Sequence, residues 1–165
     1  MPSPFVQIPG TNGFVVSPYD LQSTELNSLA SGSASTSSVA GTSGVYSQTN
    51  SSGAIWGDIW FIAGGAVTPT AGGALVGWFL RSTNGGTTFE SVTATPSATV
   101  MALPRSPDFT IPLSNSAYAS GNVAFASGPV LLPFESFKAV IQNLGGAALP
   151  ASGNHVTLGP VETGY

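Results

Sequence analysis

The chain's clearest pattern is a two-residue alternation that starts near residue 54 and returns several times. Along 54–63, Ile55, Ile59 and Phe61 point to one side of an extended strand, and Trp56, Trp60 and Ile62 to the other, beside Asp58. Both rows are bulky, which predicts a strand covered on both faces. Residues 75–81 repeat the pattern, with Leu75 and Phe79 opposed to Val76, Trp78 and Leu80. Next, Ser82-Thr83-Asn84-Gly85-Gly86 supplies the positive-φ residues of a tight turn. Residues 87–93 are predicted to return as the partner strand of a hairpin.

Pro96, Pro104, Pro107 and Pro112 break up 94–114, leaving a loop with a short strand at 109–113. A further short strand is predicted at 122–127, with 129–133 as a connection. Residues 134–144 form the next strand, with Phe137, Ala139 and Ile141 facing inward and Lys138 and Gln142 outward. Gly145-Gly146 and Gly153-Asn154 turn the chain, and 155–161 closes the sheet with Val156 and Leu158 on one face.

The N-terminal third reads differently. Pro2, Pro4 and Pro9 forbid regular helix over 1–16, and Gly10-Thr11-Asn12-Gly13 is turn chemistry. Yet Phe5, Val6, Ile8, Phe14, Val15 and Val16 are too apolar for a free tail. These six either pad the domain's own core or lie across a neighbouring subunit. Ser and Thr caps, Leu26 and Leu29 three residues apart, and Gly32 beyond them predict one short helix. Residues 31–53 are rich in Ser, Thr, Gly and Ala, with a strand expected over 39–48. Seven or eight short strands with almost no helix predict an all-β fold. The expected architecture is a jelly-roll-like antiparallel β-sandwich over 17–165, with an extended N-terminal arm over 1–16. No repeat of 20–50 residues stands out, which argues against a solenoid or propeller.

Charge sharpens this picture. Charged residues make up 6% of the 165, with three basic against seven acidic, where ordinary domains carry about 25%. Mean hydropathy is +0.27. Such a chain either coats itself in hydroxyls and amides or works with much of its surface covered, because interface cores are where charge is depleted. Three scattered cations cannot displace the counterions of a polynucleotide, so no nucleic-acid partner is expected. The apolar segments fall short of the roughly 20 residues that span a bilayer, so no membrane partner is expected. The first residues have neither the positive nor the apolar region of a secretion signal. There is no cysteine, hence no disulfide and no thiolate metal site.

No constellation points to catalysis. His155 is the only histidine, seven carboxylates are dispersed, and no Gly-x-Ser-x-Gly elbow occurs. A zinc site needs three or four ligands, and one histidine without cysteine argues against one, so no metal or other cofactor is expected. Asp58 and Glu90 would approach each other if 54–63 and 87–93 were neighbours, as a carboxylate pair for glycoside cleavage; isolated edge or turn acids are the simpler reading. The aromatics are the remaining lead. Trp56, Trp60, Trp78 and Tyr46 would form a platform for sugar rings, fill a core between sheets, or sit in a subunit interface, where Trp and Tyr are enriched. Strand alternation favours the core over the platform, and the two-sided strands favour an interface that caps the second row.

Two stretches add a resemblance. Gly77-Trp78-Phe79-Leu80-Arg81-Ser82 is followed by Asn84-Gly85-Gly86 and Phe89-Glu90. Val130-Leu131-Leu132-Pro133 leads to Phe137-Lys138, Val140 and Asn143, then Leu149-Pro150 and Gly153-Asn154. With Ser23-Thr24-Glu25-Leu26-Asn27-Ser28-Leu29-Ala30, they resemble the head decoration, or cement, proteins of tailed bacteriophages over residues 20–160. The resemblance implies a non-enzymatic virion protein on the outer capsid surface, assembled in the host cytoplasm. It implies a dimer or trimer bridging neighbouring copies of the major capsid protein. A lectin-like carbohydrate-binding sandwich and a tail or baseplate component are the alternatives. Candidate interface residues are Phe5, Val6, Ile8, Phe14, Val15, Val16, Trp56, Trp60 and Trp78.

Overall fold

The computed structural model describes residues 19–35, 45–46, 56–90 and 105–161. The expected arm, 1–16, lies outside them. Among the described residues nine strands form: β1 (Tyr19–Gln22), β2 (Val45–Tyr46), β3 (Trp56–Ile62), β4 (Ala74–Arg81), β5 (Phe109–Pro112), β6 (Val123–Phe125), β7 (Val130–Leu131), β8 (Phe137–Asn143) and β9 (His155–Val161). The first sheet runs β1-β9-β3-β6, with β7 also on β3, and the second runs β2-β8-β4-β5. Every pairing is antiparallel.

This order is the jelly roll. Leaving β7 aside, the chain folds back on itself so that the first strand pairs with the last, β1 with β9. β2 then pairs with β8, β3 with β6 and β4 with β5. Rolling that long hairpin adds the contacts β3–β9 and β4–β8, which complete two stacked sheets.

The inner rows meet between the sheets as the alternation predicts. Ile59 and Phe61 of β3, Val156 and Leu158 of β9, and Leu21 of β1 face Leu75 and Phe79 of β4 and Phe137, Ala139 and Ile141 of β8, all buried. Phe79 stacks obliquely on Phe137 at 4.6 Å and on Phe109 at 5.3 Å. Gly77, between Leu75 and Phe79, lets the Phe109 ring press onto the strand: a Cβ there would lie 2.0 Å from the ring.

Several expectations change. The predicted helix is a single 3-10 turn, Thr24–Leu26, and Ser23 makes no side-chain cap; Leu26 and Leu29 are buried all the same, because a chain crossing a sandwich end needs anchors and not a full helix. Within 39–48 the described strand is Val45–Tyr46, and residues 54, 55 and 91–93 lie outside the described set. The turn at 82–86 forms, with Gly85 and Gly86 at positive φ, but residues 87–90 are not a strand. The hydrogen-bonded neighbours of β4 are β5 and β8. The 129–133 connection contains β7.

Candidate docking face

Each sheet turns a second row of side chains away from the core, and the two rows meet different fates. On the second sheet the chain covers its own outer row. Val76, Trp78, Leu80 and Val140 form a second buried cluster with Ala34, and Phe89 packs against it. Segment 32–35 is hydrogen-bonded along β8, with Ser35 N donating to Ile141 O at 2.7 Å and Asn143 N to Ser33 O at 2.9 Å. The turn after β4 is knitted by side chains: Ser82 Oγ accepts from Gly86 N at 2.9 Å, and Asn84 Oδ1 accepts from Thr88 N at 2.8 Å. Glu90 N then donates to Arg81 O at 2.9 Å, which carries Phe89 back over the sheet. Lys138 Nζ caps the Phe89 ring at 4.6 Å.

Arg105 locks this cover. Its Nη1 donates to Asp108 Oδ2 at 2.6 Å, and its Nη2 donates to Phe79 O at 2.6 Å and lies 3.3 Å from Glu90 Oε2. Its carbonyl accepts from Trp78 Nε1 at 3.2 Å. Partial burial works against the guanidinium's charge, but hydrogen bonds and charges from Asp108 and Glu90 more than offset it and raise the Arg105 pKa.

Among the described residues, the first sheet's outer row has no such cover. Along β3 it reads Trp56, Asp58, Trp60, Ile62. Register places Leu131 beside Trp56, Phe125 beside Trp60 and Val123 beside Ile62. Trp56 is 44% exposed, Val123 42%, Phe125 61% and Leu131 55%. Phe134, 79% exposed, continues the strip: it shares with Leu131, Pro133, Arg81 and Glu135 a cavity of about 200 Å³ at its end. Of the six large exposed apolar side chains among the described residues, only Leu144 lies outside this strip. Contiguous apolar surface of this kind marks interaction sites. Trp60 lies over Gly159, where a Cβ would sit 2.9 Å from the indole, and its centroid is 6.1 Å from that of Phe125. Glycine on β9 therefore lets a broad ring lie down on the sheet.

Polar groups border the strip on β9 and β1. Asp20 Oδ2 is 3.0 Å from His155 Nδ1, and Asp20 Oδ1 accepts from Thr157 Oγ1 at 3.3 Å. Threonine thus bonds to the carboxylate and not to the imidazole, so the pair lacks the nucleophile-to-base hydrogen bond of a catalytic triad. Asp58 and Glu90, the candidate carboxylate pair, are not brought together: Asp58 is on β3 of the first sheet, and Glu90 lies beyond the turn after β4, paired with Arg105. Among the described residues no group of three or more His, Cys, Asp and Glu side chains could hold a metal ion, and no helix is long and apolar enough to cross a membrane.

The expected interface residues therefore divide. Trp56 and Trp60 stand on the open strip; Trp78 is buried at 6% exposure beneath its own chain; Phe5, Val6, Ile8, Phe14, Val15 and Val16 lie outside the described residues. Tyr46 is in the core against Phe137, so no platform joins it to the tryptophans. Sequence reasoning missed Phe125, Val123, Leu131 and Phe134. The signal for the first two was present: Ala124 is the small inner residue of β6, so its bulky neighbours must face outward. No family model, no curated protein and no solved structure matches this chain.

Proposed function

We propose that this chain is a non-enzymatic structural protein of a tailed-phage virion. It docks on the outer surface of the capsid and bridges neighbouring copies of the major capsid protein. The observation that carries this reading is the contrast between the two outer rows among the described residues, one roofed by the chain itself and one left as an apolar strip with Trp56, Trp60 and Phe125 at its centre. The jelly-roll winding, used by capsid proteins among others, the charge content of 6% and the resemblance of 77–90 and 130–154 to head decoration proteins support the virion setting. Each copy need contribute only a few kcal/mol, because a lattice multiplies a weak contact.

Capsid shells stripped of this protein are the assay. Wild-type chain rebinds them; a Trp56→Ala, Trp60→Ala, Phe125→Ser variant stays folded and loses at least tenfold in occupancy at matched concentration. Undiminished rebinding by the folded variant refutes the reading. Deleting 1–16 lowers occupancy more than it lowers the melting temperature if that segment bridges subunits. One observation favours a second reading, a carbohydrate-binding sandwich: Trp60 laid over Gly159, with Trp56 exposed two positions beyond Asp58, is a surface on which sugar rings stack. Binding of wild type, and not of the triple variant, to a glycan array would establish it.

A further inference from the structure

The open strip carries one charge at its centre. Asp58 is exposed on the same face as Trp56 and Trp60, two residues from each along β3, or roughly 7 Å per step. Unlike those of Asp20, Asp108 and Glu90, its carboxylate makes no hydrogen bond or ion pair with any described residue. None of the chain's three cations forms an ion pair with Asp58. Arg81 ends β4, Lys138 sits over Phe89, and Arg105 is bound to Phe79 O, Asp108 and Glu90. Apart from Arg81 at the far end of the strip, in the cavity it shares with Leu131 and Phe134, the first sheet's outer face therefore offers carboxylates and no fixed positive charge.

That distribution selects the occupant. Packing this face against the same face of a second copy would bring Asp58 towards an identical acid and bury both without a counter-charge, a costly arrangement. A neutral apolar partner would strip the carboxylate of water with nothing in return. A partner presenting one Arg or Lys among apolar side chains answers every feature. Its cation meets the carboxylate, its flanks are held by the two indole faces, and the apolar residues cover Phe125, Leu131 and Ile62.

Resting on the docking reading above, we infer that Trp56, Asp58 and Trp60 form a cradle for a single basic side chain of the partner protein. In that assembly it is a Lys or Arg on the capsid subunit's outer surface. Guanidinium fits better than ammonium, because its plane stacks on indole while its edge donates two hydrogen bonds.

Two measurements test this and separate it from the docking reading. In the first, ¹⁵N-labelled full chain is titrated with acetyl-Leu-Arg-Phe-amide, acetyl-Leu-Gln-Phe-amide and a neutral β-linked oligosaccharide. The arginine peptide is expected to shift the Trp56 and Trp60 indole N–H signals and the Asp58 amide, to leave buried Trp78 still, and to bind at least fivefold more tightly than its glutamine analogue. Asp58→Asn should erase that difference without changing the melting temperature. Equal response to both peptides, or a response to the oligosaccharide alone, overturns the cradle. In the second, rebinding to stripped shells is repeated with Asp58→Asn and Asp58→Lys, and occupancy is expected to fall in that order. Rebinding that ignores both substitutions overturns the cradle while leaving capsid docking intact. Failure of the wild type to rebind removes the docking reading, and the peptide titration then decides the cradle alone. Self-association that Asp58→Asn abolishes overturns the assignment to a different protein, because a second copy would then supply the cation.

Discussion

Two tryptophans at outward positions of adjacent-numbered strands make the sharpest comparison in this molecule. Trp78 on β4 is 6% exposed and donates to Arg105 O at 3.2 Å; Trp56 on β3 is 44% exposed. Truncating Trp78 to alanine opens a cavity under the Phe89 cover, at about 3–5 kcal/mol, and loses a hydrogen bond worth about 1 kcal/mol. Truncating Trp56 removes a little over half of roughly 200 Å² from contact, which at ~25 cal/mol per Å², less alanine's share, is about 2 kcal/mol at most. At roughly 2–4 °C per kcal/mol for a chain of this size, Trp78→Ala should lower the melting temperature by about 8–24 °C and Trp56→Ala by less than about 8 °C. Urea midpoints with unchanged slopes give the same ranking. Function should rank them the other way: Trp56→Ala loses shell binding, and Trp78→Ala keeps it once the folded fraction is corrected. If Trp56→Ala destabilises as much as Trp78→Ala, the β3 outer row is already roofed and the open strip does not exist.

The remaining predictions probe the supports of that arrangement. Gly77→Ala forces a methyl into the Phe109 ring, whose nearest carbons would lie 2.0–2.5 Å away; a loss of about 1–3 kcal/mol is expected from urea unfolding, and an unchanged midpoint refutes the packing. Asn143 is fully buried, donates to Leu29 O and Ala147 O at 2.8 Å, and accepts from Gly145 N at 2.8 Å. Asn143→Leu leaves three groups without partners at about 1–3 kcal/mol for each that stays dry, so its melting transition should fall below that of Gly77→Ala; a smaller fall refutes it. Gly159→Val places side-chain atoms where the Trp60 indole now lies. It should raise acrylamide quenching and weaken shell binding while moving the melting temperature by only a few degrees, and unchanged quenching refutes the flat-lying ring.

The inner rows were legible because a strand's period of two is local: Phe137, Ala139 and Ile141, or Val156 and Leu158, need only their neighbours in sequence to share a face. The hairpin expected after β4 failed for the opposite reason. Asn84, Gly85 and Gly86 do turn the chain, but a turn states only that the direction changes, not which strand pairs next. β4 takes Phe109–Pro112 as its partner, and the intervening residues instead bring Phe89 and Arg105 over the outer row. The expected helix failed similarly, since Leu26 and Leu29 at a spacing of three suit a 3-10 turn as well as an α-helix.

The docking face was half legible for the same physical cause. β3 and β4 show nearly the same alternation, with tryptophans in both outer rows, and nothing within either segment says which row the chain will roof. That choice is made at a distance, by a cation 27 residues beyond Trp78 and a ring 11 residues beyond it. Charge resolves the symmetry. The covered row recruits Arg105 and Lys138, whereas the row on β3 keeps a carboxylate between two indoles and has no cation paired with it. In a chain with ten formal charges, an acid kept at the centre of an apolar strip, where an amide would cost less to cover, makes sense if the positive charge arrives with whatever covers it.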